Sequence, residues 1–324
     1  MAKAIRFHEV GGPEVLRYEE VPVGAPGPGE ARVRHTAVGV NYIDTYNRSG
    51  LYKVPLPAGL GTEAAGVVEA VGPNVDFVKP GDRVAYSGGP LGAYSTERVM
   101  PADRLVRIPD GISDQAAATL MLKGLTVQYL FRQTYKLKQG DTIVFHAAAG
   151  GVGLIACQWA RALGVTMIGT VGSDEKATLA RENGCAHTIV YTRENFVERV
   201  KALTDGKGVP VVYDSVGRDT FPASLDCLQP RGLFVSFGNS SGSITAFDIT
   251  TLAQKGSLYV TRPTLFTYAA KRADLLAMCD DLFALVQQGK IKSDPRQRFP
   301  LAQAADGHRA LQSRGTVGAT VLVP

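Results

Sequence analysis

The sequence predicts an α/β protein with a small β-barrel-like domain and a doubly wound parallel sheet carrying helices on both faces. Three observations predict it. The first third of the chain is a series of short β-like runs separated by Gly and Pro turns. From Thr142 onward, strand-like and helix-like segments alternate. The later strands are continuous Val, Ile and Phe runs, the pattern of a sheet covered on both faces.

The elements follow in order. Ala31 to Val38 alternates apolar and polar residues, and Ala64 to Val71 is a small, apolar run ended by Gly72-Pro73. Val78-Lys79-Pro80-Gly81-Asp82-Arg83-Val84 reads as a turn entering a strand. The texture changes near Ser113, which is expected to N-cap a helix over Ala116-Ala117-Ala118. A second helical pattern is expected from Thr126 to Thr134. Strands are then expected from Thr142 to His146, Thr166 to Thr170, Thr188 to Val190, Val209 to Tyr213, Gly232 to Phe237 and Ser257 to Val260. The helices between them are expected from Gly151 to Leu163, Asp174 to Asn183 and Glu194 to Leu203, with a short one from Phe221 to Cys227. Lys271 to Gly289 reads as one amphipathic helix with Gly289 as its stop, followed by a helix from Leu301 to Ser313 and a strand from Val317 to Val323. This tail has too little core to stand alone and is expected to return to the first domain. The expected division is 1–124 plus 265–324 for the first domain and 125–264 for the second.

Composition agrees with this class. The 324 residues are 45% hydrophobic and 20% charged with 36 glycines, an ordinary globular mixture that suits about two domains. The net charge of +5 suits an anionic ligand such as a phosphorylated cofactor, and no run of Lys or Arg argues for nucleic acid. Cys157, Cys185, Cys227 and Cys279 are too scattered for a structural zinc cluster and read as buried free thiols. The first residues alternate like a strand and lack the apolar core of a signal peptide, and no stretch approaches the ~20 apolar residues of a membrane span. A cytoplasmic protein without a membrane partner is expected.

The chemistry begins at Ala147-Ala148-Ala149-Gly150-Gly151-Val152-Gly153, between a strand and a helix. This is a variant of the Gly-x-Gly-x-x-Gly fingerprint with Ala148 at the first position. A side chain at Gly150 or Gly151 would block a pyrophosphate from the backbone, and Gly153 lets the helix pack close to the strand. The helix N-terminus then offers N–H groups and partial positive charge to the anion. A dinucleotide is therefore expected. An NAD site places a carboxylate ~20 residues beyond the loop. Here that position is Ser173, in Thr170-Val171-Gly172-Ser173-Asp174-Glu175-Lys176. Gly172 and Ser173 leave room and Lys176 suits a 2′-phosphate, so NADPH is expected; Asp174 and Glu175 read as acids of the next helix's first turn.

Several motifs together resemble the medium-chain dehydrogenase/reductase superfamily: Val40-Asn41-Tyr42-Ile43-Asp44, Gly61-Thr62-Glu63-Ala64-Ala65-Gly66, Val78 to Val84 and the Ala147 to Gly153 loop. Within it, Asn41 to Asp44 and Lys123-Gly124-Leu125-Thr126 resemble the quinone oxidoreductases of the zeta-crystallin type. The resemblance implies a GroES-like catalytic domain and a Rossmann cofactor domain. Zinc-dependent relatives have Cys where Asn41 stands and His where Thr62 stands, so no metal ligand set is expected. Alcohol oxidation by the superfamily's zinc route is thereby disfavoured, whereas a quinone is already a strong electron acceptor.

The resemblance also implies site residues. Asn41, Asp44 and Tyr46 would lie near the nicotinamide ribose and the acceptor, and Tyr52 would line the acceptor pocket. Thr126 would contact the nicotinamide end and Phe266 would face the nicotinamide, while Phe237, Gly238, Asn239 and Ser240 follow the fifth strand at the sheet's carboxyl edge, where such ligands bind. Gly150, Gly151 and Val152 would hold the pyrophosphate. Gly172, Lys176 and Tyr191 would surround the 2′-phosphate, with Arg314 reaching in from the C-terminal segment and Ser173 leaving room for it. Asn41 and Asp44 also have a plain reading as turn caps. The implied activity is NADPH-dependent quinone reduction without a metal, by a homodimer paired through the strand around Ser257 to Val260. An enoyl or alkenal reductase of the same superfamily is the alternative, and a non-catalytic RNA-binding or structural crystallin-like protein is the alternative of another class.

Overall fold

Alternating burial builds the first sheet. Ala31, Val33 and His35 turn inward, while Arg32 and Arg34 turn outward to pair with Glu69. The computed structural model describes residues 1–313 and 315–324, so Arg314 lies outside the described residues. The described chain divides into two compact units, 1–125 with 269–324, and 126–268.

In chain order the elements up to the second unit are β1 (Ala2–Phe7), β2 (Arg17–Val21), β3 (Glu30–Val40), α1 (Tyr42–Ser49), β4 (Ala58–Gly59), β5 (Glu63–Val71), β6 (Arg83–Ser87), β7 (Glu97–Pro101), β8 (Val106–Arg107) and α2 (Asp114–Tyr129). Next come β9 (Thr142–Phe145), α3 (Gly151–Leu163), β10 (Thr166–Val171), α4 (Asp174–Glu182), β11 (His187–Val190), α5 (Phe196–Leu203), β12 (Val209–Asp214), β13 (Leu228–Ser236), α6 (Thr250–Gln254), β14 (Tyr259–Thr261) and α7 (Leu265–Tyr268). The tail is α8 (Arg272–Gln287), β15 (Gln297–Pro300), α9 (Ala304–Gln312) and β16 (Thr320–Val323).

The first unit holds a three-stranded sheet, β2-β1-β4, and a seven-stranded one, β15-β16-β3-β5-β6-β8 with β7 also on β3. β16 pairs antiparallel with β3, Thr320 opposite Val40, so the C-terminal tail completes the sheet begun by the first hundred residues. The core beneath gathers Phe7, Val33, Val38, Val68, Tyr86 and Leu322.

The second unit is a six-stranded parallel sheet in the order β11-β10-β9-β12-β13-β14. Chain direction reverses its spread between β9 and β12, the switch point at which such sheets bind ligands beyond their carboxyl ends. Ile143, Val144, Val211 and Val212 are fully buried, which accounts for the unbroken apolar runs. Among the described residues no helix is long and apolar enough to cross a membrane.

Four element readings are corrected. The helix from Ser113 and the expected second helix from Thr126 are one helix, α2, which widens into a π-type turn over Leu130–Thr134. Gly124 does not break it; a Cβ there would lie 2.7 Å from Leu282 Cδ2, so the missing side chain admits α8. The strand expected from Ser257 starts at Tyr259, because Ser257 takes φ +56° and Leu258 N–H bonds back to the Leu252 carbonyl. The expected helix from Phe221 is a tight 3₁₀ turn over Ala223–Cys227. The expected Leu301 to Ser313 helix opens as a 3₁₀ turn and becomes α-helical only at Ala304.

Candidate functional site

In the second unit the loop after β9 is shaped by close backbone packing. A Cβ on Gly153 would collide with the Ala147 carbonyl oxygen and lie 2.6 Å from the Ala148 carbonyl carbon. Gly150 is the extended N-cap of α3, with φ −76° and ψ 173°. Among the described residues no side chain caps this helix, and its first turn, which includes Gly151 and Val152, holds no acid. A bare helix N-terminus of this kind suits an anion, so the residues present fit a dinucleotide pyrophosphate. His146, just before the loop, is enclosed, with Nδ1 2.9 Å from Thr170 Oγ1 and Nε2 2.9 Å from Ser224 Oγ.

The end of β10 is equally tight. The Tyr191 hydroxyl would stand 3.1 Å from a Cβ at Gly172. Ser173 caps α4, its Oγ accepting from the Lys176 backbone N–H at 3.3 Å. Asp174 and Glu175 do occupy the first turn, but Asp174 is also held by Arg193. Beyond β13, Phe237 N–H donates to the Asp214 carbonyl at 2.7 Å and its ring lies 5.6 Å from that of Phe145. Gly238 lies against Ser215, where a Cβ would be 2.5 Å from the carbonyl oxygen. Ser240 N–H donates to that same carbonyl at 3.1 Å, and the Asn239 carbonyl accepts from Gly242. These segments all leave the carboxyl edge of the sheet. Thr126 is buried in α2, and Phe266 is exposed on α7.

In the first unit Asn41 and Asp44 form a capping box at the start of α1. Asn41 N–H donates to Asp44 Oδ2 at 2.8 Å, and the Tyr94 hydroxyl donates to the same oxygen at 2.9 Å. Asp44 is fully enclosed and Oδ1 has no hydrogen-bond partner among the described residues. Burial pushes its carboxyl up to about 7, against the opposing effect of those two donors. Tyr42, Tyr46 and Tyr52 form a ladder with ring centroids 5.6 Å and 5.3 Å apart.

A directional relay continues from Tyr94. Arg48 Nη1 is 3.0 Å from His308 Nδ1, and an arginine only donates, so Nδ1 accepts and the imidazole proton sits on Nε2. Nε2 then donates to the Tyr94 oxygen at 3.1 Å, and Tyr94 passes its own proton toward Asp44. Arg48 also donates to the Gln312 side chain and the Gly11 carbonyl, tying α1 to α9.

Asn41 faces a second buried group. Its Nδ2 donates to Glu63 Oε2 at 2.8 Å, and Lys123 Nζ is 3.1 Å from the same oxygen. Glu63 Oε1 accepts from Leu122 N–H at 2.6 Å. Gly39 makes this approach feasible, since a Cβ there would strike both the Ala118 carbonyl and the Glu63 carboxylate.

Two sequence families match the chain: the alcohol dehydrogenase GroES-like domain over residues 27–110 and the zinc-binding dehydrogenase over residues 151–278. The chain is 60% identical to a quinone oxidoreductase of Pseudomonas aeruginosa, with both chains covered in full. The structure of Escherichia coli quinone oxidoreductase complexed with NADPH superposes with a TM-score of 0.98 at 53% identity, covering 99% of this chain and 100% of that one. The chain belongs to the quinone oxidoreductase family of the medium-chain dehydrogenases/reductases. A 2-haloacrylate reductase from a Burkholderia species is 47% identical, covering 100% of this chain and 99% of the relative.

In this quinone oxidoreductase family member, Asn41 is committed to Glu63, and Thr62 brings a buried hydroxyl without a hydrogen-bond partner among the described residues. Neither supplies a thiolate or imidazole. Among the described residues no group of three or more His, Cys, Asp or Glu side chains is assembled to hold a metal ion. The four cysteines are free and buried.

Sequence reasoning named Asn41 and Asp44 but missed their partners. Glu63 and Lys123 stood inside the quoted motifs, and a charge within otherwise small or apolar runs was the available signal. Arg48 and His308 are 260 positions apart, and no local pattern joins them.

The buried groups set a pH dependence. Burial pushes His35 down to about 4, and burial with the Arg48 charge pushes His308 down to about 3. Burial also lowers His146. His35 and His308 stay neutral when folded down to those values and take up a proton on unfolding below pH ~6.5, so their contribution is full above pH ~6.5 and is lost on acidification. Asp44 opposes them: folded, it keeps its proton up to about 7, so its contribution is lost as pH rises from its unfolded value. His35 and His308 together outweigh one aspartate between pH ~5 and ~6, and stability is expected to fall on acidification there. His308→Gln is expected to reduce that slope by about one proton, about 1.4 kcal/mol per pH unit. Urea unfolding at both pH values reads the slope; an unchanged slope contradicts a neutral, buried His308.

Proposed function

We propose that this chain is an NADPH-dependent quinone reductase that works without a metal. The observation that carries the reading is the uncapped, acid-free first turn of α3, packed through Gly153 against the loop that follows β9, in a chain whose full length aligns with quinone oxidoreductases. NADPH supplies the reducing equivalents when bound.

The residues then have distinct tasks. The N–H groups of Gly150, Gly151 and Val152 bind the pyrophosphate. Gly172, Ser173, Lys176 and Tyr191, with Arg314, take the 2′-phosphate. Thr126, Phe237, Gly238, Asn239, Ser240 and Phe266 orient the nicotinamide end. Asn41, Tyr46 and Tyr52 orient the acceptor and exclude water. Asp44 is enclosed on every side, so it acts as a positioning residue, starting α1 and thereby aiming Asn41 and Tyr46. A quinone needs no Lewis acid to accept electrons, and its protons come from solvent. The second unit is the cofactor domain and the first the catalytic domain. The protein works as a homodimer through β14, an edge strand that exposes Tyr259 and Val260.

The likeness to a 2-haloacrylate reductase favours one second reading, reduction of an activated C=C bond with Tyr52 as proton donor. Rates with NADPH and either 1,4-benzoquinone or a 2-enal separate the two. The quinone is expected to turn over faster; a faster enal selects the second reading.

A further inference from the structure

We propose that Arg193 is a specificity-determining residue for NADPH over NADH, acting by neutralising Asp174 beside the 2′-phosphate position. The inference rests on the cofactor reading above. Asp174 is the first residue of α4 and directly follows Ser173. A free carboxylate near this point of a dinucleotide site accepts from a ribose 2′-OH and repels a 2′-phosphate.

Here the carboxylate is already engaged. Arg193 Nη1 lies 2.5 Å from Asp174 Oδ2, and Nη2 lies 2.5 Å from Oδ1, a two-pronged pair. The arginine's presence holds Asp174 below the usual carboxylate range. The two side chains are 58% and 64% exposed, so the pair adds little to folding stability. The chain nevertheless holds Arg193 in place. Tyr191 N–H donates to the Val171 carbonyl at 3.1 Å, Thr192 Oγ1 to the Gly172 carbonyl at 3.4 Å, and Arg193 N–H to the Val190 carbonyl at 3.1 Å. The segment after β11 is thereby fastened along the residues that lead from β10 into α4.

The local charge decides the consequence. Asp174, Glu175 and Lys176 together carry one net negative charge, and Arg193 brings the turn to neutrality. Without it, one uncompensated carboxylate faces a phosphate of charge near −2. For charges one Debye length apart in water, about 8 Å, the repulsion corresponds to roughly two-fold in affinity at physiological salt and roughly six-fold at low ionic strength. NADH has no 2′-phosphate and escapes it.

The test is fluorescence titration with NADPH and with NADH, without acceptor, on wild type, Arg193→Gln and the Asp174→Asn/Arg193→Gln double variant. Arg193→Gln is expected to weaken NADPH roughly two- to six-fold, the larger value at low ionic strength, and to leave NADH unchanged or tighter. The double variant is expected to regain NADPH affinity, because the exposed charge is gone. An unchanged NADPH/NADH ratio in Arg193→Gln overturns the inference. So does a double variant as weak as the single one, which would place Arg193 on the phosphate itself. Wild-type protein that binds the two cofactors equally overturns the NADPH reading and this inference with it.

Discussion

Lys123→Met is expected to destabilise the protein by about 3–5 kcal/mol, the cost of stranding one partner of a buried ion pair. Lys123 Nζ is 3.1 Å from Glu63 Oε2, with side-chain exposures of 6% and 0%. Without the ammonium, the Glu63 carboxylate keeps the Asn41 amide and the Leu122 N–H but no opposing charge. The Glu63→Gln/Lys123→Met double variant buries no charge and is expected to lose much less, since the pair's desolvation cost disappears with it. Urea unfolding of the three proteins checks this. Equal losses in the single and double variants would show that the side chains matter for packing alone.

Gly153→Ala is expected to weaken NADPH binding at least tenfold, about 1.4 kcal/mol, and to cost about 1–3 kcal/mol of stability. The added methyl has no flexible neighbour to displace. It meets the Ala147 carbonyl oxygen and, at 2.6 Å, the Ala148 carbonyl, all backbone atoms of the loop. Either α3 moves away from β9 or the loop opens, and in both cases the first-turn N–H groups leave their places. At Gly150 a Cβ would be 3.2 Å from a single carbonyl oxygen. Gly150→Ala should therefore leave stability closer to wild type. Fluorescence titration and urea unfolding read the two effects, and a Gly153→Ala protein that binds and unfolds like wild type contradicts the packing argument.

The parallel sheet was legible in the sequence because burial on both faces writes continuous apolar runs, such as Ile143 to Phe145 and Val211 to Tyr213. The loop after β9 was legible because a strand, glycines and a helix follow one another within a dozen residues. Helix α2 reads in sequence as two, one capped by Ser113 and a second from Thr126, whereas it runs unbroken through Gly124, whose missing side chain admits α8. The plain reading of Asn41 and Asp44 as caps holds in the folded protein, and it combines with their placement beside Glu63 and Tyr94. The relay from Arg48 through His308 depends on α9 returning to α1, a tertiary contact that no spacing rule reaches. The neutralisation of Asp174 also escaped, because Arg193 lies nineteen positions away, after a further strand.

The most direct measurement is NADPH consumption by purified protein stripped of divalent metal with a chelator, started by adding 1,4-benzoquinone. The account predicts quinone-dependent turnover that chelation does not reduce and added zinc does not raise. No quinone-dependent consumption of NADPH, or turnover that returns only when zinc is restored, would contradict it.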